Sequence, residues 1–284
     1  MRAFTDAQRS DNFGFTGQGW YLWGNTQHMQ SISYIRTRWV AFSLGLTLAL
    51  SACQRELTPT AQLTQPTDLP VSTQIATDST LERMIAPYRT RVDETMNQVI
   101  GNAPVALDRT GVESVLGNFV ADLTRTQTMA VYGRPVDMGG MTSGGLRNPI
   151  DQGPITVGDV FELMPFENEM LVLTLSGKTV QDMFDYAARV KNLSVSNATF
   201  TIRNNKPEDI KIGGKPFDPG KTYTLAISDY LANGGDNMMF LKDALKVEQV
   251  GLLARDAIMQ EIKQLTAAGK PVTAKVEGRV KEIK

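Results

Sequence analysis

The chain has 284 residues, 42% of them hydrophobic, with a formal net charge of −1 and a lone cysteine, Cys53. That length and apolar content suffice for one large or two small packed domains and exclude global disorder. The near-neutral charge gives no footing for a nucleic-acid surface, and one cysteine excludes an internal disulfide.

Residues 1–28 are rich in aromatics and hold the chain's one histidine, His28. A leader starting at Met1 would be far longer than the usual ~15–30 residues, so Met29 is the better initiator and 1–28 reads as an over-extended gene start. Residues 29–53 read as a secretory signal. Arg36 and Arg38 form its basic flank, Val40 to Leu50 its apolar run, and Leu50-Ser51-Ala52-Cys53 its end. The run is too short to span a bilayer. This ending resembles the lipobox of bacterial lipoproteins, whose cysteine is acylated and becomes the mature N-terminus. The implied location is across the inner membrane, lipid-anchored through Cys53 in the cell envelope, on the outer membrane or a periplasmic face. A buried cysteine after an apolar strand is the alternative. Residues 54–78 are a Thr/Gln/Pro-rich tether without helical or strand period. Such a segment buries too little surface to offset its ordering entropy and spans on the order of 30 Å. Residues 54–284 carry 25 basic and 28 acidic side chains, so the body has no long-range attraction for polyanions.

Residues 79–284 read as one folded domain. Ser79-Thr80-Leu81-Glu82 predicts a capping box with Ser79 as N-cap. Leu81, Ile85, Tyr88, Val92, Met96 and Val99 then follow at helical spacing, with a kink or restart at Pro87. A second helix is predicted over 112–126 and a short strand over 136–138. Thr156 is placed to cap a helix through Leu163. A strand over 170–175 is broken by Gly177. A helix over 179–190 turns Val180, Phe184 and Ala187 inward. Residues 199–203 and 210–212 predict a hairpin around Asn204-Asn205. A strand over 222–227, a helix over 252–265 and a closing strand over 276–283 complete an α+β pattern: a single mixed-sheet domain with packed helices and no regular βαβ repeat.

Beyond His28 there is no histidine, which excludes a Ser-His-Asp site and any histidine-containing metal site in the domain. A general acid or base would have to be Asp, Glu, Lys or Tyr, and no paired-carboxylate spacing stands out.

Six segments in order carry a resemblance. They are Gly117-Asn118-Phe119-Val120-Ala121-Asp122, Ser143-Gly144-Gly145-Leu146-Arg147, Gly153 to Val160, Pro165-Phe166-Glu167-Asn168, Leu173 to Gly177, and Asp229-Tyr230-Leu231-Ala232-Asn233-Gly234-Gly235-Asp236. Together they resemble the C-terminal, substrate-recognition domain of the 5'-nucleotidase family, over roughly 200 residues from Leu81 onward. The resemblance implies that domain's fold. It also implies that the family's metal-binding catalytic half lies elsewhere, so the chain needs no cofactor of its own and is expected to be silent alone, although its family is one of hydrolases.

By position, the resemblance makes Phe166 and Tyr230 the two aromatics that clamp a nucleobase; stacking of this kind is worth ~1–3 kcal/mol per base. It sets Arg147 at the phosphate, where a guanidinium fork suits two oxygens, and Asp236 at the ribose hydroxyls. Thr142, Gly144, Gly145, Asn168 and Gly235 complete the implied substrate-binding set, with Arg125 a candidate second phosphate contact. Each has a bland alternative. Phe166 could be a core plug, Tyr230 a half-buried strand end, Arg147 a helix cap or a partner of Asp151, and Asp236 and the glycines plain turn chemistry. Thr142 departs from the family's asparagine, and Asn237-Met238 departs from its usual Gly-aromatic pair. The implied ligand is a nucleoside or nucleoside monophosphate. The implied partners are a separately encoded metallophosphoesterase and, through the lipid anchor, a membrane. A nucleoside-binding lipoprotein without a catalytic partner, or a structural lipoprotein that has lost the ligand, are the rival readings.

Overall fold

Asp78, one residue before the predicted cap, opens the first helix. In the computed structural model, which describes residues 76–283, its carboxylate accepts from the backbone N–H of Thr80 (2.8 Å) and Leu81 (3.2 Å). The expected leader, Cys53 and the tether through residue 75 lie outside the described residues. A charged acceptor suits the positive end of a helix better than a serine hydroxyl does. Glu82, not needed for capping, pairs with Arg89 at 2.9 Å. Helix α1 (Ser79–Met96) runs through Pro87 without a break. Met96, at the end of its predicted apolar face, packs partly buried on the core, and the rest of that face is largely uncovered by the described residues. No α1 residue is buried, and Leu81, Met84, Tyr88 and Val92 are each more than half exposed. Val99, predicted on that face, instead opens strand β1 (Val99–Ala103).

Helix α2 (Val115–Tyr132) begins at Ser114, whose Oγ accepts from the Gly117 N–H at 3.0 Å, and ends at Gly133. Strand β2 (Met138–Thr142) lies later than the predicted 136–138 and includes Gly139 and Gly140. A Cβ on Gly139 would stand 2.6 Å from the Ala121 carbonyl oxygen, so glycine here lets α2 press on the sheet. Strand β3 (Gly153–Thr156) pairs antiparallel with β1. Helix α3 (Val157–Leu163) carries the predicted Thr156 cap, completed by Asp159 as a capping box. Strand β4 (Glu169–Ser176) and helix α4 (Gly177–Val190) follow, with Val180, Phe184 and Ala187 buried as predicted. Strands β5 (Leu193–Ser196), β6 (Ala198–Arg203), β7 (Lys206–Ile212) and β8 (Lys215–Pro216) come next. The β6–β7 turn sets Asn204 and Asn205 at φ 51° and 58°, the left-handed pair a tight hairpin requires. Strand β9 (Thr222–Ser228) leads into the short helix α5 (Asp229–Ala232). Strand β10 (Lys246–Leu253), helix α6 (Ala254–Ala267) and β11 (Val280–Ile283) end the described chain. Leu252 and Leu253, predicted as helical, finish β10.

The strands form three sheets: β1-β3, a five-stranded sheet ordered β10-β4-β9-β2-β5, and a four-stranded sheet ordered β11-β6-β7-β8. Both larger sheets are mixed, since β2 runs parallel to β9 and β11 parallel to β6. The class is α+β. One core joins α4 to both larger sheets around Phe184, whose ring meets Phe200 edge-on at 5.2 Å. A second joins α2, α3 and α6 through Leu116, Val160 and Ile258.

Candidate functional site

Strands β4, β9 and β2 are neighbours in the five-stranded sheet. Since β2 is parallel to β9 and β4 antiparallel, the C-terminal ends of β2 and β9 and the N-terminal end of β4 share one edge. Each end carries a loop. After β2, Ser143–Gly145 makes one 3₁₀ turn held by Ser143 N–H to the Asn192 carbonyl at 2.8 Å, and Arg147 N–H donates to the Leu163 carbonyl at 2.9 Å. Before β4, the Phe166 loop is pinned by Ala254 N–H donating to the Asn168 carbonyl at 2.9 Å. After β9, Ser228 caps α5 and positions Tyr230; the chain then turns through Gly234 at φ 91° and Asp236 at φ 51°.

The three loops enclose a cavity of about 280 Å³ lined by Gly144, Gly145, Arg147, Phe166, Asn168, Tyr230 and Asp236. Phe166 is 40% and Tyr230 50% exposed, so neither ring is a core plug. Arg147 is exposed and forms no ion pair among the described residues. Its Nη1 donates to the Gly144 carbonyl at 3.4 Å, and its guanidinium stands 5.9 Å from the Phe166 ring centre. Asp236 is more than a turn residue: its carboxylate accepts from Thr142 Oγ1 at 2.6 Å and from the Tyr230 hydroxyl at 3.0 Å. Thr142 and Gly235 do not line the cavity. Thr142 is buried beneath Asp236. Gly235 backs the Tyr230 ring so closely that a Cβ would stand 2.5 Å from its Cε1.

Residues 99–243, just over half of the chain, match the family model for the 5'-nucleotidase C-terminal domain. The chain belongs to that family. It is 29% identical over 238 residues to the trifunctional nucleotide phosphoesterase protein YfkN of Bacillus subtilis, covering 76% of this chain and 16% of that protein. It is 28% identical over 198 residues to the silent protein UshA(0) of Salmonella typhimurium, covering 67% and 36%. The crystal structure of the 5'-nucleotidase precursor from Thermus thermophilus superposes with a TM-score of 0.62 at 28% identity, over 72% of this chain and 43% of that one. The chain therefore spans less than half the length of each of these relatives.

Several residues that shape this member of the family carried no local sequence signal. Arg109 donates to the Leu146 carbonyl at 2.6 Å and so braces the turn that carries Arg147. Arg255 is buried, stacks 4.1 Å from the Phe161 ring centre and reaches the Phe166 carbonyl at 3.5 Å. Tyr186 reaches Asp236 from beneath, its hydroxyl donating to the Asp236 carbonyl at 2.9 Å. These contacts join residues distant in sequence. Arg125, expected near a phosphate, sits by the other end of β2, where its Nε donates to the Val136 carbonyl at 2.8 Å.

A larger cavity of about 400 Å³ opens between α2 and the C-terminal segment. Its guanidinium, Arg279, is already bound to Asp122 at 2.7 Å and Glu277 at 2.8 Å, and Asp122 also accepts from Ser196 Oγ at 2.6 Å. There the aspartate of the α2 motif ties the C-terminal segment down, and no exposed aromatic pair faces across. The smaller cavity has the chemistry. No three His, Cys, Asp or Glu side chains among the described residues are grouped to hold a metal ion.

Proposed function

We propose that the three-loop cavity binds a nucleoside or nucleoside monophosphate, with the base between Phe166 and Tyr230, the ribose at Asp236 and the phosphate at Arg147. One observation carries this reading: two exposed rings, a guanidinium without an ion-pair partner among the described residues, and a carboxylate meet around one cavity of about 280 Å³. Rings offer stacking faces that tolerate different bases. A guanidinium matches phosphate oxygens, and a carboxylate accepts from hydroxyls. Gly144 keeps the backbone low beside Asp236, where a Cβ would approach Oδ2 to 3.3 Å.

In this reading the chain is the recognition half of a 5'-nucleotidase, working with a separately encoded metallophosphoesterase that supplies the metals and the attacking water. The lack of a metal donor set among the described residues supports a second component. So does the apolar stripe of α1, exposed at Leu81, Tyr88 and Val92, which gives such a component a surface to cover. The Leu50-Ser51-Ala52-Cys53 ending supports a lipid anchor that holds the pair at the cell envelope. Loss of fatty-acid label and membrane retention in Cys53→Ala is the expected result; unchanged labelling refutes the anchor.

Calorimetric titration of the full chain with adenosine and adenosine monophosphate tests recognition. A phosphate-release assay with added Mn²⁺ or Zn²⁺ tests the division of labour. Binding without hydrolysis, and hydrolysis once the phosphoesterase of a flanking gene is added, is the expected outcome. Absence of binding with and without that enzyme overturns recognition, and metal-dependent hydrolysis by the pure chain overturns the silent half.

A further inference from the structure

The loop that carries Phe166 is sparsely fastened by its own backbone. Pro165 has no N–H to donate. At the far end the Ala254 N–H holds the Asn168 carbonyl at 2.9 Å, and Leu253 pairs with Glu169 at the start of β4. From Pro165 to Glu167 there is a single hydrogen bond among the described residues: Arg255 Nη1 donates to the Phe166 carbonyl at 3.5 Å. Arg255 is the second residue of α6, so the first two residues of that helix grip the loop on either side of Glu167.

The guanidinium is costly where it stands. Its side chain is 9% exposed, and its Nε is buried without a hydrogen-bond partner among the described residues. Glu167 lies 3.7 Å from Nη2, but with its own side chain 81% exposed this pair contributes little. A cation in the first turn also opposes the positive end of the helix dipole. The Phe161 ring of α3 supports the group, with its centre 4.1 Å from the guanidinium carbon. An apolar side chain of similar volume would serve the packing at least as well. Arg255 does not line the three-loop cavity and so does not touch a ligand there. Its contacts instead join α3 and α6 to the backbone of the residue whose ring forms one wall of the clamp.

We propose that Arg255 is a positioning residue for nucleoside recognition, fixing where the Phe166 ring stands by holding that residue's carbonyl against α3 and α6. The proposal rests on the nucleoside-binding reading above. A binding group has to be held to about 0.5 Å of its productive place, and at Phe166 the hydrogen bond that does so comes from this side chain. Two consequences follow from the geometry. Since the arginine acts through Phe166, its effect on affinity disappears when that ring is removed. Since it is an under-partnered buried cation, replacing it by an apolar side chain does not lower stability.

The test is calorimetry on the full chain with adenosine and uridine, together with chemical denaturation, for wild type, Arg255→Met, Arg255→Lys, Phe166→Ala and each Arg255 variant combined with Phe166→Ala. Arg255→Met should weaken both nucleosides by about three- to tenfold, the size of one ordinary hydrogen bond, with an unfolding midpoint no lower than wild type. In the Phe166→Ala background the same change should cost less than about twofold, the non-additivity of two residues that act as a unit. Arg255→Lys keeps the charge but not the planar fork that lies on Phe161. It should show a smaller loss with the same dependence on Phe166, and it carries the test if Arg255→Met folds poorly. Losses that add in full to that of Phe166→Ala overturn the positioning role, as does an affinity within about twofold of wild type in Arg255→Met; both leave the base clamp standing. A midpoint that falls in step with affinity marks a merely structural arginine and overturns the role too. Failure of wild type to bind either nucleoside overturns the clamp and the role of Arg255 together.

Discussion

Replacing Phe166 by alanine isolates the base clamp from the fold. An aromatic side chain offers about 200 Å² of surface. The ring is 40% exposed, which leaves roughly 80 Å² for a ligand to cover. At ~25 cal/mol per Å² that contact is worth about 2 kcal/mol, within the ~1–3 kcal/mol of base stacking. About 2 kcal/mol is a loss of roughly 30-fold in affinity. Tyr230, 50% exposed, should lose slightly more on truncation, because its hydroxyl also holds Asp236. The assay is calorimetric titration with adenosine and uridine at a temperature well below the thermal midpoint of each variant. Both bases should suffer alike, since stacking does not read base edges. Affinities for both bases that stay within about twofold of wild type in Phe166→Ala and Tyr230→Ala would falsify the clamp, since covering that area cannot be free of consequence.

Arg147→Ala should weaken adenosine monophosphate by about tenfold or more and adenosine by far less, because in the proposed reading the guanidinium binds the phosphate; equal losses would refute that placement. On α1, Tyr88→Glu should leave the stability within about 0.5 kcal/mol of wild type, as the helix buries none of its residues, while reducing co-purification with the proposed phosphoesterase; a large stability loss would show that the stripe packs on this domain. Phe184→Ala removes a fully buried ring and its edge contact with Phe200, and should cost about 3–5 kcal/mol in chemical denaturation; a loss under about 1 kcal/mol would contradict the core described. Glu113 gives the pH dependence. Burial pushes its carboxyl up, but the Asn118 amide and the backbone N–H groups of Glu277, Val280 and Arg279 outweigh this and hold it below the usual range. A depressed folded-state value contributes stability at neutral pH that is lost as pH falls through and below the ordinary glutamate range. Glu113→Gln should therefore be less stable at pH 7 by about 1–3 kcal/mol and lose less stability on acidification; parallel melting curves from pH 7 to 3.5 would refute the assignment.

The elements legible in the sequence are those whose signal is local. Thr156 and Asp159 form a capping box within three residues, and the period of Val180, Phe184 and Ala187 marks one face of one helix. Asn204-Asn205 names its own turn, because few residues other than asparagine tolerate two successive left-handed positions. The ordered motifs likewise singled out Phe166, Tyr230, Arg147 and Asp236 by position. What the chain order could not convey is which loops meet. The cavity exists because β2 and β9 run parallel while β4 runs antiparallel beside them, a property of strand pairing between residues tens of positions apart. The same non-local pairing moved the strand predicted over 136–138 on to Met138–Thr142, with Gly139 and Gly140 buried in it under α2. It left most of the α1 stripe, helical by period, uncovered by the described residues, with Met96 at its end packed on the core. It brought Arg109, Arg255 and Tyr186 to the backs of the site loops, where each acts through a hydrogen bond to a backbone carbonyl. Such a bond needs only a donor at the right place in space, so no residue pattern along the chain announces it. Composition and spacing determined the helices, the hairpin and the chemistry available; tertiary packing decided which of those side chains share a cavity, because only folding closes the distance between them.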